Sequence, residues 1–131
     1  MALLHGQRLT RTDLMRRCGD LSQVAGIRLM TLTEGAEAGV RIAAVSTGSG
    51  LRFQVTLDRG MDISVAEYQG MPLAWRSPNG DAHPAHFDPR GTGWLRTFPG
   101  GLVTGCGMAS VGAPCVDEGV ELGLHGRLSH L

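Results

Sequence analysis

Leu51-Arg52-Phe53-Gln54-Val55-Thr56-Leu57-Asp58 is the stretch on which the fold turns. Leu51, Phe53, Val55 and Leu57 alternate with Arg52, Gln54, Thr56 and Asp58. Successive side chains of an extended chain point to opposite faces, so this split predicts a half-buried strand of an antiparallel sheet. The same rhythm continues on both sides. Upstream, Ile27, Leu29 and Thr31 alternate with Arg28 and Met30, and Val40, Ile42 and Ala44 follow with Arg41 opposite. Glu34-Gly35, Gly39 and Gly48-Ser49-Gly50 mark the turns. Downstream of Asp58-Arg59-Gly60, Met61, Ile63 and Val65 stand against Asp62, Ser64 and Ala66. Tyr68-Gln69-Gly70-Met71 then turns the chain into Pro72-Leu73-Ala74-Trp75. Short strands at spacings of about 10 residues with glycine turns predict an all-β sandwich or barrel. Before them, Thr12 to Gly19 predicts one or two helical turns, opened by Thr or Asp and closed by glycine. After them, a polar connection runs from Ser77 to Gly91, a length that usually marks a functional or disordered loop.

Composition narrows the class. The 131 residues fit one domain, and a 42% hydrophobic fraction with mixed charge describes a globular chain. Twelve acids balance twelve bases, which leaves no electrostatic footprint for nucleic acid or an anionic membrane. Twenty glycines, about twice the usual share of roughly 7%, favour tight turns and short strands over helices. Cys18, Cys106 and Cys115 are odd in number and lack close spacing, so a reduced, cytoplasmic setting is expected. The stretch from Met1 to Arg8 is too short and polar for a signal peptide, and no apolar run reaches the ~20 residues of a membrane span. Five or six strands leave sheet edges exposed, so the chain is expected either to pair with another chain, as in an oligomer, or to be the front part of something longer.

The residues able to do chemistry are concentrated in the last third. His125 lies in Gly123-Leu124-His125-Gly126-Arg127, where glycines allow close backbone approach and an imidazole can exchange a proton near neutral pH. In a strand, Arg127 would share the face of His125 and offer a fork of donors to hydroxyls or a carboxylate. The alternative is a turn histidine satisfied by the backbone. Arg59 and Asp62 read either as a charged clamp at the sheet rim or as an ordinary surface pair at a turn. Trp94 beside Arg96 reads either as an apolar platform for a sugar face or as core with Leu95 and Phe98. His83, His86 and Asp88 invite a metal reading, but their spacing is no zinc pattern and Pro84 blocks the helix that would align them. No metal or other cofactor is expected. Glycine-rich phosphate loops, nucleophile elbows and dinucleotide fingerprints are absent from the sequence.

Several of these stretches carry a resemblance. Gly-Asp-Leu-Ser-Gln-Val-Ala-Gly (19–26), Asp-Arg-Gly-Met-Asp-Ile (58–63), Leu-Ala-Trp-Arg-Ser-Pro (73–78), Gly-Trp-Leu-Arg-Thr-Phe-Pro-Gly-Gly-Leu (93–102), Thr-Gly-Cys-Gly (104–107) and Gly-Leu-His-Gly-Arg (123–127) occur in that order. The chain resembles the amino-terminal part of the DUF4432 family, which is similar to aldose 1-epimerases (galactose mutarotases). The resemblance implies a partial β-supersandwich, antiparallel with a short amino-terminal helix, in which residues 1–131 form the front portion of a sugar-binding domain. It also implies full members well over twice this length that interconvert sugar anomers. By the same resemblance His125 contacts the substrate, and Arg59, Asp62, Trp94, Arg96 and Arg127 lie around the cleft. The acid histidine and base glutamate of that group fall beyond Leu131, so no catalytic residue is assigned within this chain. The implied ligand is a monosaccharide or sugar acid. The alternative, from another class, is a non-catalytic carbohydrate-binding or assembly module.

Overall fold

The computed structural model describes residues 2–4 and 6–131. Its centre is one antiparallel sheet in meander order, β3 (Gly26–Thr31), β4 (Arg41–Ser46), β5 (Leu51–Thr56), β6 (Asp62–Tyr68) and β7 (Met71–Pro72). Before it come a hairpin, β1 (Ala2–Leu4) with β2 (Gln7–Leu9), and the helix α1 (Arg11–Met15). After it, β8 (Trp75–Arg76) pairs with β9 (Gly100–Gly101), and β10 (Cys115–Asp117) with β11 (Val120–Leu122). Short 3₁₀ turns join these pieces at 21–23, 35–37, 84–86, 93–97 and 128–130. The architecture is all-β and antiparallel, with one short helix, as the alternation predicts.

Two boundaries differ from the sequence reading. The helix begins two residues earlier, because Thr10 rather than Thr12 is its cap: its hydroxyl accepts from the Asp13 amide, and the Asp13 carboxylate accepts from the Thr10 amide. The helix packs Leu14 with Ala2 and Leu9, against Leu4, Cys18, Leu21 and Val24, as a small core under the hairpin. The run from Pro72 to Trp75 is divided between two partners, β7 on β6 and β8 on β9.

The pairing register decides which face of the sheet is covered. Directly paired residues of an antiparallel ladder share a face. Ile27, Val45, Phe53 and Ala66 form one row, and Leu29, Ala43, Val55 and Ile63 a second on the same side. The opposite side carries Arg28, Ala44, Gln54 and Val65, and then Met30, Ile42, Thr56 and Asp62. A bulge between Gln54 and Val55 adds a residue on β6 and bends this corner.

Alternation alone would bury the apolar side. Instead, the chain's own loops cover the other one at its β6 end, where Ile42, Thr56, Asp62 and Ser64 are all 1% exposed or less. The apolar side stays open along β3, with Ile27 and Leu29 about 70% exposed. The expected burial on β6 is reversed: Asp62, Ser64 and Ala66 are the buried residues, Asp62 on the covered side and Ala66, beyond the bulge, on the other.

The connection from Ser77 to Gly91 is irregular apart from the 3₁₀ turn at 84–86, but it is not free. His83 N–H donates to the Ala36 carbonyl, Asp81 N–H to Glu37, and Asp81 and Ala82 are buried. No helix among the described residues is long and apolar enough to cross a membrane.

Candidate functional site

Three segments converge at the β6 end of the sheet: the turn 58–62, the run 93–107, and the closing stretch 123–131. Gly60 has a φ of 61°, and a Cβ there would stand 2.5 Å from the Leu128 carbonyl oxygen. Glycine at this turn is what lets the last segment dock against it.

Beneath that contact lies a buried polar core. Arg59 is fully buried, and its guanidinium donates to the carbonyls of Ala82 at 2.7 Å and Thr97 at 2.9 Å. Asp62 Oδ1 accepts from the Gly105 amide at 2.6 Å. Its Oδ2 and the Arg59 Nε, 3.9 Å apart, have no hydrogen-bond partner. The pair is neither an ordinary surface pair at a turn nor exposed at an open rim. It is an internal staple that ties the turn 58–62 to Ala82 and to the 93–107 run.

His130 completes this core. It stacks on Phe87 with ring centroids 4.0 Å apart, and its Nε2 lies 2.7 Å from the Thr97 hydroxyl. Nothing in the local pattern of Leu128-Ser129-His130-Leu131 marks that role, since its partners are some 33 and 43 positions away in sequence.

Burial pushes the Asp62 carboxyl up to about 6, against the Gly105 hydrogen bond and the Arg59 charge that favour the carboxylate. Burial, with the Arg59 cation beside it, pushes His130 down to about 4. The signs oppose one another. Asp62 holds its proton in the folded state below about 6 and loses it in the unfolded state down to 3.8, so it contributes stability that grows as pH falls through that window. His130 stays neutral when folded but charges when unfolded below 6.5, so its contribution is lost as pH falls toward about 4. Melting temperatures of Asp62→Asn and His130→Gln are therefore expected to diverge on acidification from pH 7 to 4.5. The Asp62 variant should lose stability relative to wild type, and the His130 variant should gain. Parallel curves would remove the assignment.

Above the staple sits His125, half-buried, with its backbone in the left-handed region at φ 57°. Histidine is tolerated there more readily than β-branched residues, but the conformation is still uncommon. Its N–H donates to the Gly112 carbonyl, its own carbonyl accepts from the Gly107 amide, and Nδ1 accepts from the Gly112 amide at 3.3 Å. A backbone amide can only donate, so a neutral ring must carry its proton on Nε2. The ring also meets the edge of Trp94, with centroids 4.9 Å apart. The imidazole is thus fixed on one side and keeps one N–H donor that no residue of the site uses.

The other sequence candidates take different places. Residues 123–127 form no strand: the positive φ of His125 and Gly126 folds the backbone so that Gly126 bridges Gly107, and Arg127 does not share a strand face with His125. Arg127 is exposed, with its amide donating to the Gly107 carbonyl. Trp94 is a buried ring stacked on Phe98 at 4.8 Å, not an exposed platform, and its indole N–H has no partner. Arg96 is exposed and lies 3.5 Å from Asp88, which Arg90 also contacts. Asp88 joins the site's margin in this way, while His83 Nδ1 accepts from the Ala85 amide as the cap of a 3₁₀ turn. Among the described residues no three His, Cys, Asp or Glu side chains gather as a metal ligand set would.

Comparison with known proteins agrees with this architecture. The model of a domain of unknown function, DUF4432, matches residues 37–131. The search of curated proteins finds no match. Among solved structures, the chain is similar to a protein from Klebsiella pneumoniae subsp. pneumoniae MGH 78578 described as a "putative aldose 1-epimerase". The two share 28% identity with a TM-score of 0.71. The match covers 79% of this chain but only 28% of that one.

Proposed function

The chain belongs to the DUF4432 family, and on that premise we propose that it binds carbohydrate at the His125 loop, as the amino-terminal portion of an aldose 1-epimerase-like unit. One observation carries the reading: a rigidly held, half-buried imidazole with Nδ1 engaged by Gly112 and Nε2–H left to donate. A sugar hydroxyl is a natural acceptor for such a donor. The likeness to the Klebsiella protein supports the same class of ligand. The open apolar side of the sheet is what a portion of a larger sandwich would present.

Anomer interconversion needs one group to take the proton from the C1 hydroxyl and another to protonate the ring oxygen. In this proposal residues 1–131 hold and orient the sugar, and the acid–base pair belongs to the remainder of full-length family members. The staple of Arg59 and Asp62 fixes the floor on which the His125 loop rests.

Thermal melts of the chain with a panel of neutral monosaccharides provide the test. One sugar should raise the transition, because a ligand that binds the native state stabilises it. His125→Asn suits the left-handed backbone and lacks the imidazole, so it should keep the melting temperature while weakening that sugar about tenfold, the worth of a hydrogen bond near 1.4 kcal/mol. A panel without effect would overturn the proposal, as would unchanged affinity in His125→Asn.

A further inference from the structure

On the polar side of the sheet, away from the His125 loop, a groove of about 680 Å³ runs across β3, β4, β5 and β6. Its shape has a simple origin. Within the groove β4 presents only Ala44 and Ser46 from this side, while its neighbours carry Arg28 on β3 and Gln54 and Arg52 on β5. Two small side chains between longer ones make the floor of a trough. The 3₁₀ turn at 21–23 supplies a wall through Ser22, against which Gly26 packs. The volume falls in the usual range of small-molecule sites, about 300–1,000 Å³.

Two exposed arginines line the trough. Arg41, Arg59, Arg76, Arg90 and Arg96 each lie within ion-pair distance of a carboxylate. Among the described residues Arg28 and Arg52 do not, nor do Arg8, Arg11, Arg16, Arg17 and Arg127, and Arg52 is paired across the ladder with Glu67. Two uncommitted guanidiniums, one on each side of the trough, suit an oxyanion that both can reach. Glu67 leaves a net charge of about plus one, which disfavours a multiply charged anion and offers an acceptor for hydroxyls. Gln54 and Ser22 add neutral donors and acceptors.

We propose that this groove is a second ligand site, for a small polyhydroxylated carboxylate, held by Arg28 and Arg52 and by Gln54 and Glu67 at its hydroxyls. It does not depend on the carbohydrate reading of the His125 loop.

The test is calorimetric titration of the chain with D-glucuronate, beside methyl glucoside and inorganic phosphate. Glucuronate should bind, and methyl glucoside should not bind in this groove. Arg28→Gln and Arg52→Gln should each weaken glucuronate about tenfold, the scale of a lost hydrogen bond to a charged group. Ala44→Leu should fill the floor and abolish binding while the melting temperature is kept, because the added atoms extend into open space. His125→Asn should leave glucuronate untouched. The proposal fails if glucuronate gives no heat, if both arginine variants bind it normally, or if phosphate binds as tightly. Glucuronate lost in His125→Asn but kept in the arginine variants would move the ligand to the His125 loop and overturn the groove.

Discussion

Arg59→Leu is expected to lower stability by about 3–5 kcal/mol, the cost of breaking a buried charged network from one side. Leucine fills part of the space but donates nothing. The carbonyls of Ala82 and Thr97 each lose their guanidinium donor, and Asp62 keeps a buried carboxyl with only the Gly105 amide as partner. A domain whose whole stability is about 5–15 kcal/mol has little margin for such a loss. Arg41→Leu is the control, because that ion pair with Asp58 has an arginine side chain 64% exposed and is screened by solvent. Urea midpoints of the two variants should separate clearly. The double variant Arg59→Leu/Asp62→Leu should recover part of the loss, since it also removes the stranded carboxyl. Equal midpoints for Arg59→Leu and Arg41→Leu would show that the staple contributes no more than a surface pair.

Gly126→Ala is expected to be the most damaging single-methyl change. Gly126 has a φ of 70°, a conformation that costs an L-residue about 1–2 kcal/mol. Sterics add to this: a Cβ would collide with the Gly107 carbonyl oxygen and stand 2.5 Å from that of Ser110. Those atoms belong to the backbone that holds His125, so relief must come from parting the 105–112 and 123–127 segments. Gly119→Ala separates the two causes. Its φ is 81°, at the tip of the β10–β11 hairpin, with nothing within 4 Å of a Cβ. It should cost only the backbone amount, about 1–2 kcal/mol, with no effect at His125. Gly126→Ala should cost more than that and also loosen the contact between Trp94 and His125, which tryptophan fluorescence reads. Indistinguishable melts would mean that the two segments are not locked by this glycine.

Much of the site region was visible from residue types alone. Glycine density and the placement of His125, Trp94 and the arginines marked the last third, and the loop around His125 is indeed built on close backbone approach at Gly126. The roles were not visible. Arg59 and Asp62 look like a turn pair because the groups they serve, at Ala82, Thr97 and Gly105, are contributed by segments 23 to 43 residues away. Trp94 could be placed on a surface or in a core until Phe98 and His125 closed around it.

The sequence by itself determined the strands of the central sheet, their antiparallel succession and their turns, but not the hairpins β1–β2 and β10–β11. Period-two alternation and positive-φ glycines are local properties, carried by each residue and its neighbours. Only the tertiary structure decided which side of those strands is covered. Burial depends on what packs against a face, and here the loops settle over Thr56, Asp62 and Ser64 while Ile27 and Leu29 stay open. A polar face can be buried only where distant partners satisfy it, and no local pattern records where a chain's distant segments will meet.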